Sequence, residues 1–288
     1  MWRDGEDLVD RQGRPRVPLG TGLYSQRLQA WEEIRRSRAK PVSDVITEQD
    51  FMRMYKAVAT ANMQGLILNT FVTVSWEVGG VRDPDHIASL HSRFLASMQA
   101  WANDRQKAKL DHPIPMPVIW VKEVGQHLGL HSHFLLNVPE FWNVTFRSWV
   151  AKAVRRLLEL PAPDPRQPPA KLRPSHTSWF GNDTRQQWNV FRYMMKALDD
   201  EGTIMIEHTH REFLLREVSG VKPTPQGRIT GRRVGHTKNI GPAALARLEN
   251  DIGTADIWGD RDQRLGLRYD EYFLRHGELG EQLLNLRI

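Results

Sequence analysis

Glu123, His131 and His133 bring one carboxylate and two imidazoles into the eleven-residue run Glu123-Val-Gly-Gln-His-Leu-Gly-Leu-His131-Ser-His133. A carboxylate oxygen and two imidazole nitrogens, with positions left open for water and phosphate, suit Mg2+, Mn2+ or a similar divalent ion. A cation held there would polarise a phosphoryl oxygen and offset the charge that grows on phosphorus during displacement. Sixty residues further on stands Tyr193-Met-Met-Lys196. A phenol is a poor nucleophile at its ordinary pKa of about 10, so its attack on phosphorus needs help from a metal or a cation. Three metal-ligand candidates, a tyrosine and a lysine together point to phosphodiester chemistry.

These residues are useful only if the elements carrying them converge. Val118–Val124 and Leu130–Val138 read as strands joined by a loop at Gly125–Gly129. Side chains alternate faces along a strand. An antiparallel hairpin therefore sets Glu123 opposite His131, with His133 one pair further along on the same face. Tyr193 belongs to a predicted helix from Thr184 to about Leu198. On a helical wheel Trp188, Phe191, Met195 and Leu198 form the apolar stripe, and Tyr193 falls opposite, beside Gln186, Asn189 and Lys196. Lys196 is one turn beyond Tyr193 and within reach of the same phosphate. Two other features have the right residue types. His208-Thr-His210 has the spacing of the first histidine pair but no hairpin-partnered carboxylate, and is read as structural or surface. Tyr269 and Tyr272 sit in an acidic context and rank behind Tyr193.

Around these segments the pattern is that of an α+β domain with a mainly antiparallel sheet flanked by helices. Thr47-Glu-Gln-Asp50 opens a helix by capping. Leu66–Trp76 reads as a strand, and a long amphipathic helix carries Ile87, Leu90, Phe94, Met98 and Trp101. Pro139–Leu160 reads as another helix, and Pro161–Pro174 as a proline-rich connection. A short strand is expected near Thr177–Phe180, with further strands at Thr203–Ile206 and Phe213–Val218. The expected organisation is a polar extension over residues 1–45, a core over 46–218 and a basic, partly helical extension over 219–288. In that last part Arg228, Arg232, Arg233 and Lys238 alternate with glycines, and Gly241-Pro242 opens a helix whose free N–H groups would attract phosphate.

The 288 residues carry a formal charge of +6 and a pI near 9.7, a balance that favours a polyanionic partner. There is no cysteine, which excludes thiolate metal sites and disulfides. No apolar run has the length of a membrane span, and the first residues lack the apolar core of a signal peptide. A cytoplasmic, prokaryotic protein without membrane contact is expected. No Gly-x-x-x-x-Gly-Lys-Ser/Thr phosphate loop is present, so strand separation would fall to a partner.

Three motifs occur in the order found in the HUH endonuclease superfamily. Phe71-Val-Thr73-Val-Ser75 resembles its first strand motif, and His131-Ser132-His133 its histidine motif, with Glu123 as the third ligand. Tyr193-Met-Met-Lys196 resembles its nucleophile motif. The resemblance spans roughly residues 65–205 and is greatest to single-tyrosine rolling-circle replication initiators of plasmids and phages. The chain departs from the family at Ser132, where a bulky hydrophobic residue is usual. The resemblance implies a metal at Glu123, His131 and His133 (Mg2+ or Mn2+), and Tyr193 attacking single-stranded DNA to leave a 5′-phosphotyrosine. Lys196 would position the tyrosine or the phosphate. Thr73, Ser75, Arg192, Arg228, Arg232, Arg233 and Lys238 are the expected DNA contacts. Single-stranded DNA, an origin hairpin or duplex, and a host helicase and polymerase are the expected partners. A single-tyrosine transposase or a relaxase would share this chemistry, and a catalytically silent DNA-binding protein would share the fold.

Overall fold

A computed structural model describes residues 42–107, 116–161, 173–206 and 211–252. They belong to one compact unit, Val42–Ile288. His208, His210, Tyr269, Tyr272 and almost all of the expected N-terminal extension and proline-rich connection lie outside the described residues.

The elements follow in chain order: β1 (Val42–Ser43), α1 (Glu48–Met63), β2 (Thr70–Ser75), α2 (Pro84–Lys107), β3 (Val118–Gly125) and β4 (Gly129–Leu136). A 3-10 turn at Glu140–Trp142 leads into α3 (Asn143–Leu157). Then come β5 (Ser175–Trp179), α4 (Thr184–Met194), β6 (Thr203–Ile206), β7 (Arg211–Leu214), α5 (Leu215–Ser219), β8 (Ile229–Thr230), β9 (Val234–His236) and α6 (Pro242–Ile252). The main sheet has five strands in the order β5-β2-β4-β3-β9, every neighbouring pair antiparallel. The expected α+β class with a helix-flanked antiparallel sheet is thus what the chain forms. No helix among the described residues is long and apolar enough to cross a membrane.

Both faces of the sheet are covered because its central strands are apolar on both sides. Val72, Val74, Phe134 and Leu136 face Leu90 and Phe94 of α2 and Phe146 and Val150 of α3. Ile119, Val121, Leu135 and Val234 face Met54 and Val58 of α1 and Trp188 and Phe191 of α4. Thr47 caps α1 by accepting a bond from the Asp50 N–H, and Asp183 caps α4 from the N–H groups of Arg185 and Gln186. Each such cap is worth about 1 kcal/mol.

Several elements differ from the reading of the sequence. Helix α4 stops at Met194, before Lys196, although neither glycine nor proline intervenes. Tertiary pairing overrides the helical propensity there: Ile46 N–H donates to Ala197 O at 2.7 Å, and Asp199 N–H donates to Ile46 O. The expected strand Phe213–Val218 ends at Leu214 and turns into the one-turn helix α5, closed by Gly220 in the left-handed region. The boundary expected at residue 218 does not divide the structure. β9 comes from the segment beyond it and forms an edge of the main sheet beside β3. Gly235 allows this approach, since a Cβ there would strike the Trp120 ring.

Candidate metal centre

The β3–β4 hairpin has the register that alternation requires. Glu123 pairs with His131, Val121 with His133, and Gly125 closes on Gly129. Gly129 sits at φ +58°, a conformation natural to glycine, and a side chain there would collide with Glu77. Glu77 in turn accepts the Leu130 N–H at 2.7 Å and secures the start of β4.

Glu123, His131 and His133 are all buried, and one ligand atom from each lies within 4.8 Å of the others. Glu123 Oε2 is 3.3 Å from Nε2 of His131 and 3.3 Å from Nε2 of His133. Donors that share an ion at about 2.1 Å stand roughly 3–3.5 Å apart, and both separations from Glu123 fall in that range. Both Glu123 oxygens and His133 Nε2 lack an aligned hydrogen bond among the described residues. The Lys196 ammonium, with Nζ 2.7 Å from Oε2, makes a charge contact rather than an aligned bond. Buried polar atoms left in that state are costly, and a coordinated cation is what would satisfy them.

The electrostatics favour ligation. Burial pushes the Glu123 carboxyl upward, but His131, His133 and the Lys196 ammonium outweigh it and hold the group well below the usual carboxylate range. Burial pushes His133 down to about 4, against the opposing pull of Glu123 and helped by His131 and Lys196. At neutral pH Glu123 is therefore ionised and His133 uncharged, the states in which each binds a metal.

Helix α4 delivers the tyrosine to this hairpin. The Tyr193 ring centroid is 5.5 Å from that of His133 and 6.0 Å from that of Phe71, meeting Phe71 edge-on. Phe71 itself stacks on His133 at 5.0 Å. Tyr193 remains half exposed, while Trp188, Phe191 and Met194 on the same helix are buried. Lys196 lies past the helix end, yet its Nζ sits 4.0 Å over the Tyr193 ring while reaching Glu123. Its backbone is fastened by Thr224 N–H, which donates to Lys196 O at 2.7 Å.

Besides the apolar packing of Trp188 and Phe191 on the hairpin, α4 is held by a pair of buried amides that sequence reading passes over. Asn62 and Gln187 exchange hydrogen bonds of 2.9 and 2.7 Å, and Gln187 also accepts the Leu68 N–H at 2.7 Å. That one side chain ties α4 to α1 and to the segment entering β2. A glutamine beside an apolar stripe is the only sign of it in the sequence.

The expected DNA contacts separate. Thr73 faces His133 across the ladder, with its hydroxyl 2.9 Å from His133 Nδ1. Ser75 is 2% exposed opposite His131, so the expectation that it meets DNA at the surface is corrected. Arg192 is engaged with Asn189 one turn earlier on α4. Arg228 is exposed and paired with Asp44 at 3.0 Å, and Arg232 and Lys238 are exposed. Arg233 is a correction: it is buried, and its guanidinium donates to the carbonyls of Ser43 (2.8 Å) and Gly227 and lies 3.4 Å from that of Lys122. It stands immediately before β9, where it fastens β1 and the approach to β8 to β3.

No protein-family model, curated protein or solved structure matches this chain.

Proposed function

We propose that the protein is a divalent-metal-dependent endonuclease that nicks single-stranded DNA through Tyr193 and thereby initiates rolling-circle replication. The observation that carries this reading is the convergence of Tyr193 and Lys196, from beyond the hairpin in sequence, on the Glu123–His131–His133 cluster. A lone buried Glu-His-His group suits many roles, but a half-exposed tyrosine beside it, with an ammonium over its ring, suits nucleophilic attack on phosphate.

Glu123, His131 and His133 would hold a Mg2+ or Mn2+ ion, whose contribution when bound is to polarise a phosphoryl oxygen and offset charge at phosphorus. Tyr193 Oη attacks that phosphorus, losing its proton to the solvent that reaches the half-exposed ring. The bond from phosphorus to O3′ breaks. The strand leaves with a 3′-hydroxyl after taking a proton, and the 5′-phosphate stays on the tyrosine. Lys196 holds the ring and lowers the cost of negative charge on the phenolate and phosphate. The 3′-hydroxyl serves as a primer, or returns to reseal the strand. Helicase and polymerase would come from the host, and an origin hairpin or duplex would meet Arg228, Arg232 and Lys238 through phosphates.

The test is a covalent trap. Wild-type protein mixed with Mn2+ and a pool of single-stranded oligonucleotides should give a denaturant-resistant adduct. Tyr193→Phe should give none while still retaining the DNA. An adduct formed by Tyr193→Phe would show that another residue is the nucleophile. Adduct formation unaffected by chelation of the metal would remove the metal from the chemistry.

A further inference from the structure

We infer that Thr73 is a positioning residue for the metal centre, acting through His133 rather than on DNA. The inference rests on the reading of Glu123, His131 and His133 as metal ligands. Which imidazole nitrogen ligates is set by the hydrogen bond made at the other. For His131 the backbone decides. Its Nδ1 lies 2.8 Å from Gly129 O, which only accepts, so Nδ1 carries a proton and Nε2 is the nitrogen turned toward Glu123. That anchor is main chain and belongs to the hairpin turn.

His133 has a side chain in the same office. Thr73 is its direct partner across β2 and β4, and Thr73 Oγ1 lies 2.9 Å from Nδ1. Phe71, two residues earlier on the same face of β2, stacks on the ring and limits its swing. When Nε2 ligates, the proton must sit on Nδ1, and the threonine hydroxyl accepts it. His133 is 1% exposed, so solvent does not replace a lost partner. Removing the hydroxyl leaves a buried N–H unsatisfied in every state in which Nε2 binds the ion. Partners of this kind are worth about 10–100-fold in metal affinity. A threonine that served only to fill the strand would change the stability of the metal-free protein and leave affinity per folded molecule alone.

The experiment titrates the full chain with Mn2+ alone, without DNA, and follows the spin-resonance signal of the free ion. Thr73→Val keeps the shape and the β-branch and removes the hydroxyl; Thr73→Ser keeps the hydroxyl. Thr73→Val should bind about 10–100-fold more weakly, and Thr73→Ser should bind close to wild type. Circular dichroism confirms folding, and Thr73→Ala carries the comparison if the valine variant does not fold. Wild-type affinity in the folded hydroxyl-free variants overturns the role of Thr73 while leaving the metal centre standing. A wild-type protein that takes up no Mn2+ overturns the metal centre and the role of Thr73 with it.

Discussion

Strand β4 carries polar residues to both faces of the sheet, and the two faces treat them in opposite ways. On one side His131 and His133 meet Glu123, and the carboxylate oxygens have no aligned hydrogen bond among the described residues. On the other side Ser132, fully buried, accepts the Trp76 indole N–H at 2.9 Å and lies 3.0 Å from His91 Nδ1. His91 stacks on Phe134 and meets Trp120 edge-on, inside the apolar layer under α2. Ser132 is thus spoken for by its neighbours, which accounts for a small polar residue at this position. The cluster around Ser132 closes at the serine hydroxyl and leaves His91 Nε2 as its one atom without an aligned hydrogen bond among the described residues; a partnered buried hydroxyl of this kind pins the register of a strand. The Glu123 cluster converges without closing at the carboxylate, an arrangement that could hold a cation. The same three consecutive residues do both, because alternation sends the middle one the other way.

Variants on each face test that difference, beginning with the largest effect. Glu123→Gln keeps the shape but removes the anionic ligand. Mn2+ uptake measured by calorimetry should disappear, a loss beyond the roughly 100-fold that outer partners reach; uptake within tenfold of wild type would mean the open cluster is not a metal site. Ser132→Ala, on the closed face, should do the reverse. It strips a partner from both Trp76 and His91 and should cost about 3 kcal/mol in urea unfolding, with Mn2+ affinity per folded molecule unchanged. Equal stability of the variant and wild type would remove the pinning role.

The smallest effect is the share of the pH dependence that His91, on the Ser132 face, contributes. Burial, with a lesser push from Lys122, lowers His91 to about 3 from an ordinary 6.5. Above pH 6.5 neither folded nor unfolded chain protonates it, and there is no penalty. As pH falls below 6.5 the unfolded chain takes up the proton first, so stability declines until the folded group also titrates near 3. By pH 5 the loss from this residue is about 2 kcal/mol. Denaturation curves at pH 7 and pH 5 should show it, and His91→Leu should flatten that part of the slope. An unchanged slope would place the acid sensitivity elsewhere.

Much of the candidate site was legible because its first half is local. Glu123, His131 and His133 share a face for a stereochemical reason, and a short glycine-flanked loop leaves few registers open. The capping threonine of α1, the long apolar stripe of α2 and the outward Tyr193 are equally local readings. Arg233 shows where such reading stops. It looked like its neighbours Arg228 and Arg232 in a basic, glycine-rich segment, and the sequence contains no mark of the carbonyls that surround it. Its burial depends on β9 joining β3, more than a hundred residues away in the chain.

By itself, then, the sequence determined the face shared by Glu123, His131 and His133 and the side of α4 on which Tyr193 projects, because both follow from backbone periodicity. Only the tertiary structure decided that the two meet. Trp188 and Phe191 pack α4 against the site face, and the Asn62–Gln187 amide pair, 125 residues apart, ties it to α1. The pairing of Ile46 with the segment after α4 ends that helix early, where Lys196 reaches both Glu123 and the tyrosine ring. Contacts of that range are set by which surfaces bury together, and no period of 2 or 3.6 residues encodes them.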